Sequence, residues 1–416
     1  MLENQMKYKL AVIIGRMQFL HNGHIHLFNE AAKKADQILV LVGSSDKAPS
    51  PSNPFNYQQR EAIVYGALKE AGITDALKAV SVAPLPDDYL EDQWIANVIN
   101  AVQTYAENQI GETGQLIRDE DIILVGHEKD ASSYYLQMFP QWAFYNAPND
   151  RGLNATDFRK ELFDRLPAHD PLFITKLLKM TEPLSKFEAA AFCQDVASLL
   201  ENHYPELNVH LGKKLAGDLR PLDMTHLKLN SPKAMHPFLE EYIRSDDYMN
   251  MMVEHHQYAD EKLSWGMAPY PVTFVTTDAV VTHRSSILMI RRKNHPGKGL
   301  WALPGGFLGA KEWVRDSIIR ELREETRIGV ANEDLLRIMQ PIKVFDNPSR
   351  SLRGRVITHA ARFNLDHLGL TKRPKVRADD DAEAVRWFSF GEILKADKSL
   401  FEDHAEIIRR LVFSRG

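Results

Sequence analysis

The stretch Gly306-Phe307-Leu308-Gly309-Ala310-Lys311-Glu312, followed by Arg320-Glu321-Leu322-Arg323-Glu324-Glu325 and Ile328, decides how the second half of this chain is read. Four of its carboxylates, Glu312, Glu321, Glu324 and Glu325, fall within fourteen residues. Three of them, Glu321, Glu324 and Glu325, stand at i, i+3 and i+4, so on a helix they share one face of one turn. Such a cluster repels itself unless a cation lies there. Hard oxygen donors on a short helix suit Mg²⁺ or Mn²⁺, and a metal so held can neutralise a pyrophosphate and activate water. A solvated acidic face is the alternative reading; against it stands the glycine-rich loop that precedes the helix at a fixed distance.

These residues resemble the box of the Nudix hydrolases: G, five residues, E, seven residues, R-E-U-x-E-E-x-G-U, with U aliphatic. Gly306, Glu312, Arg320, Glu321, Leu322, Glu324, Glu325 and Ile328 occupy their places. Arg327 stands where the family has its penultimate glycine, which ends the helix in a left-handed turn, so Gly329 is expected to take over the stop. The resemblance implies an α/β/α sandwich around a mixed sheet, with Glu321, Glu324 and Glu325 as catalytic metal ligands. It also implies that Glu312 and Arg320 brace loop against helix.

Around the box, Val272 to Val281 and Ile287 to Ile290 read as strands, and Arg291 and Arg292 follow them. Beyond it, Phe345-Asp346-Asn347-Pro348-Ser349-Arg350-Ser351-Leu352-Arg353-Gly354-Arg355 resembles a segment of Nudix domains that act on ADP-ribose. Arg292, Arg350 and Arg353 are accordingly expected at phosphate or ribose-phosphate through paired donors. Glu383, in Asp379-Asp380-Asp381-Ala382-Glu383, is a candidate loop general base, with an ordinary acidic turn as the favoured alternative.

In the first half, Leu10-Ala11-Val12-Ile13-Ile14 is a continuous apolar run ending at Gly15, as in a buried parallel strand. A helix carrying Leu27, Phe28, Ala31 and Ala32 follows, then a strand Ile38 to Val42, a helix Glu61 to Ala71 and a strand Ile122 to Val125 ending at Gly126. This alternation predicts a doubly wound, Rossmann-like α/β sheet with its ligand beyond the carboxyl ends of the strands. His21 and His24 lie at a helix start, three apart, with rings on one side. Their expected partner is an anion that also meets the free N–H groups of the helix; a metal or plain solvent are the alternatives.

With Arg16 and Gly23 beside them, the two histidines resemble the His-x-Gly-His motif of the nucleotidylyltransferase superfamily. In that superfamily such groups stabilise the pentavalent phosphorus and the leaving pyrophosphate. Further segments resemble nicotinamide mononucleotide (NMN) adenylyltransferases of the archaeal and bacterial type. Gly15-Arg16-Met17-Gln18-Phe19-Leu20 stands where that family reads G-R-F-Q-P-F. Asn53-Pro54-Phe55 with Arg60 matches the loop before its second helix. Pro84-Leu85-Pro86-Asp87 leads to Trp94, which would stack on the nicotinamide ring. Gly126-His127-Glu128-Lys129-Asp130 with Ser132-Ser133-Tyr134-Tyr135 would close around adenosine. Asn154-Ala155-Thr156-Asp157-Phe158-Arg159 resembles Ser-x-Thr-x-x-Arg, with Asn154 an equally good N-cap and Arg159 clamping the triphosphate. The resemblance thus implies His21, His24 and Arg159 as catalytic, with Gly15, Arg16, Gln18, Trp94, Gly126, Asp130 and Thr156 at the substrates.

The chain has 416 residues, too many for one ordinary core. The expected division is a nucleotidylyltransferase domain over 1–165, a helical insertion and connector over 166–268, and a Nudix domain over 269–416. Phe187 to Leu200 reads as an amphipathic helix within the insertion, whose expected role is packing or oligomerisation. Phe238, Tyr242, Tyr248, Met252 and Trp265 mark connecting helices, and Pro269-Tyr270-Pro271 opens the second domain. Lys and Arg total 51 against 56 Asp and Glu, a net charge of −5, so no basic field calls for nucleic acid. One cysteine, Cys193, excludes a disulfide framework, and the N-terminal apolar run is far too short to span a membrane. The expected setting is cytoplasmic.

Both halves together resemble bifunctional NMN adenylyltransferase and Nudix hydrolases. The substrates so implied are ATP, NMN and ADP-ribose, with Mg²⁺ or Mn²⁺ as cofactor and a homo-oligomer as an open option. The same folds with other substrates remain the alternative: phosphopantetheine or flavin mononucleotide for the first domain, NADH or a diadenosine polyphosphate for the second. A regulator that only senses ADP-ribose is a third reading, though such sensors tend to lose the glutamates kept here.

Overall fold

The apolar run at the N-terminus becomes β1 (Tyr8–Gly15), whose residues Leu10 to Ile13 are wholly enclosed. The structure, a computed structural model, describes residues 8–88, 90–113, 116–128, 135–148, 152–164, 224–266, 268, 270–379, 381–395 and 399–413. These divide into two compact units, residues up to 164 with 224–252 in one and 253–413 in the other. Phe187 to Leu200, with Cys193, lies outside the described residues.

In the first unit α1 (Asn22–Lys34) leads to β2 (Ala35–Val42), and α2 (Tyr57–Glu70) with the short α3 (Ile73–Ala76) leads to β3 (Ala79–Pro84). Then come α4 (Glu91–Thr113), β4 (Ile122–Gly126), β5 (Ala143–Asn146) and α5 (Ala155–Asp164). The strands pair in the order β3-β2-β1-β4-β5, every pair parallel. Strand order reverses between β1 and β4, which makes the crevice beyond Gly15 and Gly126 the place where such sheets bind ligands. Leu10, Val12, Leu39, Leu41 and Leu124 pack one face of the sheet against Val98 and Val102 of α4. β3, β5 and α4 carry too little apolar periodicity to be read in advance.

The chain then returns through α6 (Met224–Leu229), α7 (Met235–Tyr242) and the start of α8 (Asp246–Trp265). Leu227, Leu239, Tyr242 and Tyr248 are buried, and Tyr248 donates to the Leu162 carbonyl at 2.8 Å. The aromatic spacing that predicts connecting helices thus also carries the apolar contacts of the first unit's core.

The second unit builds on β6 (Thr273–His283) and β7 (Ser286–Arg292), followed by β8 (Trp301–Ala302), β9 (Gly305–Phe307), α9 (Val314–Thr326) and α10 (Asn332–Ile338). After these come β10 (Lys343–Phe345), β11 (Arg355–Asn364), β12 (Ala382–Ser389), α11 (Phe390–Lys395) and α12 (His404–Ile408). The sheet runs β10-β11-β6-β7-β12, with β11 and β6 parallel and the other pairs antiparallel; β8 joins β7 and β9 joins β6. Alternation along β6 sorts the two faces. Ala279 and Val281 pack under Ile318 and Leu322 of α9, while Val280 packs toward Ile407 and Ile408 of α12. This is the expected helix-sheet-helix sandwich around a mixed sheet. No helix among the described residues is long and apolar enough to cross a membrane.

Candidate active sites

At the end of β1 the chain turns through Met17, a non-glycine residue at φ 50°, and reaches His21, the N-cap of α1. His21 Nδ1 accepts the Gly23 N–H and His24 Nδ1 accepts the His21 N–H, both at 3.2 Å, so the two rings are fixed with centroids 4.0 Å apart. A neutral imidazole with Nδ1 accepting carries its proton on Nε2, so each ring is a donor through Nε2. Burial pulls the His24 pKa down to about 4, which keeps that ring neutral at ordinary pH. A Cβ on Gly23 would lie 3.0 Å from the His21 imidazole, which explains the glycine between the histidines.

One expectation needs correction. The first N–H groups of α1 are not open to an anion: Asn22 donates to Asn230 O at 2.9 Å, Gly23 to His21 Nδ1 and His24 to His21 O at 2.8 Å. Capping a helix start satisfies the donors an anion would use. Positive charge near the histidines comes instead from guanidinium groups. Arg159 is buried and donates to Thr156 Oγ1 at 3.1 Å. Burial lowers its pKa to about 10, and repulsion from the exposed Arg16 adds to the shift. Phe158, next to Arg159, stacks on Phe19 and touches the His21 ring, so α5 and the loop before α1 are packed as one surface. Asn154 caps α5 as its substitution for serine predicts, accepting the Thr156 N–H at 3.0 Å.

Gln18, expected at the substrates, is 1% exposed, and its amide donates to Phe55 O at 3.2 Å and accepts from Phe55 N at 3.1 Å, so that it clasps two loops. Trp94 is half-buried, edge-on to Tyr135 at 5.8 Å and against the core of α4, so packing holds the ring while part of it stays accessible. Gly126 ends β4 where a Cβ would collide with Leu136. Asp130, with Lys129 and Ser132 to Tyr134, lies outside the described residues. Two features had no sequence signal, because backbone atoms or a distant loop make them. Asn22 Nδ2 reaches the Leu229 carbonyl at 3.0 Å, and Asp87 receives both N–H and Oγ–H of Ser44.

In the second unit Gly306 of β9 faces α9 so closely that a Cβ would lie 2.5 Å from the Glu321 carboxylate. Arg320 binds Glu312 at 2.7 Å, Glu321 and Glu324 at 2.8 Å each, and the Phe307 carbonyl at 3.3 Å. Glu312 in turn accepts the Gly309 N–H at 2.6 Å, and its bonds to Arg320 hold its carboxyl down at about 2. Loop and helix are therefore braced through Arg320 and Glu312. Glu325 turns the other way to accept the Gly305 N–H at 2.9 Å. As they stand, no three Asp, Glu, His or Cys side chains among the described residues converge on one ion. The donor set nevertheless suits a hard divalent cation. Glu325 is buried and pushed up to about 8 by burial and then by the charge of Glu321, itself raised by burial. A cation would relieve both, provided Glu321 and Glu324 release Arg320.

The helix stop also differs from expectation. Arg327 itself takes the left-handed conformation, φ 43° and ψ 39°, while Gly329 does not. Its Nε is held by Asp379 at 2.7 Å and its N–H bonds Arg323 O at 2.9 Å, which offsets the Cβ penalty that glycine avoids. Of the three expected arginines, Arg292 lies over the Phe401 ring at 4.1 Å and donates to Pro296 O, and Arg353 lies over Phe307 at 5.5 Å beside Glu261. Arg350 is engaged within the fold. It is 7% exposed, and its Nε and Nη2 hold Asp403 at 2.9 and 2.7 Å.

The cytidylyltransferase-like family model matches residues 12–133 and the NUDIX domain model residues 272–411. An ADP-ribose pyrophosphatase of Methanocaldococcus jannaschii is 34% identical over 135 residues, 32% of this chain and 70% of that protein. A nicotinamide/nicotinic acid mononucleotide adenylyltransferase of Acinetobacter baylyi is 24% identical over 159 residues, 38% of this chain and 77% of that protein. The crystal structure of a bifunctional NMN adenylyltransferase/ADP ribose pyrophosphatase from Francisella tularensis, complexed with AMP and Mn ion, is 31% identical with a TM-score of 0.72. That likeness spans 97% of this chain and 98% of the other. Since it holds across both units together and not one at a time, the chain belongs to the family of bifunctional NMN adenylyltransferase/ADP-ribose pyrophosphatases.

Proposed function

We propose that the first unit joins NMN to ATP and the second hydrolyses ADP-ribose, each through the side chains described above. In the first reaction a phosphate oxygen of NMN attacks the α-phosphorus of ATP, the bond to the β-phosphate breaks, and NAD and pyrophosphate result. The carrying observation is the pair of histidines whose Nδ1 atoms both accept backbone N–H groups, which places the proton of each neutral ring on Nε2. His21 and His24 then hydrogen-bond phosphate oxygens as charge grows on them, and Arg16 and Arg159 neutralise the leaving pyrophosphate. No covalent enzyme intermediate is needed. Trp94 stacks on the nicotinamide ring, Thr156 orients Arg159, and Gly15 and Gly126 stand at the carboxyl ends of β1 and β4, where the substrates meet the sheet.

In the second reaction water adds across the pyrophosphate of ADP-ribose to give AMP and ribose 5-phosphate. Glu321, Glu324 and Glu325 would hold a divalent cation, Mg²⁺ or Mn²⁺, which when bound lowers the pKa of water and offsets the charge of the pyrophosphate. Arg292 and Arg353 bind the phosphates. A cytoplasmic setting fits the reduced cysteine content.

The test is a pair of variants assayed for both activities on the same preparations. His24→Ala should lose adenylyl transfer on the order of 10²-fold or more while keeping hydrolysis. Glu325→Gln should lose hydrolysis by several orders of magnitude, with partial return in excess Mn²⁺, while keeping adenylyl transfer. A variant that loses both, or neither, overturns the assignment.

A further inference from the structure

Arg60 of α2 is among the largest side chains enclosed completely, at 1% exposure, and among the described residues no carboxylate hydrogen-bonds to it. Its guanidinium instead bonds four backbone carbonyls. Nη1 reaches Arg16 O at 2.6 Å and Gly43 O at 2.7 Å, Nη2 reaches Ser44 O at 3.0 Å, and Nε reaches Asn56 O at 3.3 Å. Three of these carbonyls lie just past the carboxyl ends of β1 and β2, beside the switch point where the sheet receives its ligand. Two neighbouring non-glycine residues, Met17 and Ser44, are each held at φ 50°. Backbone in that region relaxes unless its surroundings over-determine it. Gln18 adds a second clasp one residue after Met17, closing on Phe55 from both its N–H and its carbonyl.

We infer that Arg60, with Gln18, is a positioning residue for adenylyl transfer: it fixes the backbone from which Arg16 and His21 reach the phosphates and touches no substrate itself. This rests on the reading that Arg16, His21 and His24 form the transfer site. A planar fork is required, because lysine concentrates its donors on one nitrogen and cannot span carbonyls of three different turns.

Arg60→Lys keeps the charge and most of the buried stem. Its kcat for NAD formation should fall between about tenfold and a hundredfold, since small displacements of catalytic groups cost that much, while KM for ATP and for NMN moves by less than about threefold. Gln18→Met, nearly the same shape without the amide, should shift kcat in the same direction by a smaller factor and reads the same loop if the lysine variant does not accumulate. Assays are run well below each variant's melting temperature, and a loss that merely tracks the unfolded fraction, or that appears wholly in KM, overturns the inference. The double variant Arg16→Ala/Arg60→Lys should lose less than the product of the two single losses, because part of the effect of Arg60 runs through Arg16 and only the part through His21 remains; fully multiplied losses overturn it. If Arg16→Ala works at the parent rate, the site reading fails. If Arg16→Ala is impaired but Arg60→Lys and Gln18→Met are not, only the positioning inference fails.

Discussion

Arg350 and Arg353 look alike in the sequence, three residues apart in one loop, and the structure gives them different physics. Arg350 and Asp403 form a two-pronged pair with side chains 2% and 3% exposed. Removing one partner leaves an uncompensated buried charge, so Arg350→Ala should destabilise the second unit by about 3–5 kcal/mol. Chemical denaturation checks this; a variant of parental stability with a raised KM for ADP-ribose would restore the substrate role. Glu254 makes a second residue-level case. It is 3% exposed, accepts hydrogen bonds from Tyr258 and from the Gly297 N–H, and burial raises its carboxyl above the usual carboxylate range. A raised carboxyl favours the folded state at low pH, and that contribution is lost as pH climbs from the unfolded value of 4.5 through the raised one. Glu254→Gln should therefore gain melting temperature relative to the parent as pH goes from about 5 to about 8; a constant offset across that range refutes the account.

At the scale of elements, the second half of α8 matters more than the match of the NUDIX domain model to residues 272–411 suggests. Glu254 supplies the partner of the Gly297 N–H, Gln257 reaches the His295 carbonyl, Glu261 faces Arg353 at 3.5 Å, and Trp265 packs on Phe274 at 4.3 Å. We propose that the hydrolase unit begins near residue 253. A fragment starting at 272 should be poorly soluble or inactive on ADP-ribose, whereas one starting at 246 should retain hydrolysis. Equal activity of the two fragments would show that the helix is dispensable. On that proposal the unit starts before Pro269-Tyr270-Pro271, the punctuation at which the sequence reading begins it. A proline pair marks where backbone changes direction, and only contacts show where a core begins.

For the whole molecule the side chains proposed for the two reactions do not overlap, so each activity should behave as if the other were absent. His24→Ala and Glu325→Gln proteins mixed in equal amounts should give each activity at about half the rate of the same amount of parent protein, because each preparation supplies one intact site. A mixture much weaker or stronger than that sum, measured across protein concentration, would mean that the two reactions are coupled.

Much of the site was legible because its chemistry depends on local spacing. His21 and His24 meet because the N-cap and N3 positions of a helix pair with each other, and Glu321 and Glu324 reach Arg320 together because i and i+3 share a helix face, while Glu325 turns away to the Gly305 N–H. The doubly wound sheet followed from apolar runs and their punctuation, and the resemblance supplied the sandwich and the reactions. Local spacing does not report which partner a polar group finds across the fold. Gln18 closes on Phe55, Arg60 on Arg16, Gly43 and Ser44, and Arg350 on Asp403, over separations of 16 to 53 residues. The same limit hid the capped N–H groups of α1, satisfied partly by Asn230 from a distant segment, and the left-handed Arg327 held by Asp379. The sequence by itself determined the two folds, the two motifs and the family. Tertiary structure alone decided which arginines and amides hold backbone or a buried carboxylate, because a buried polar group must find partners wherever the chain brings them, near or far in sequence.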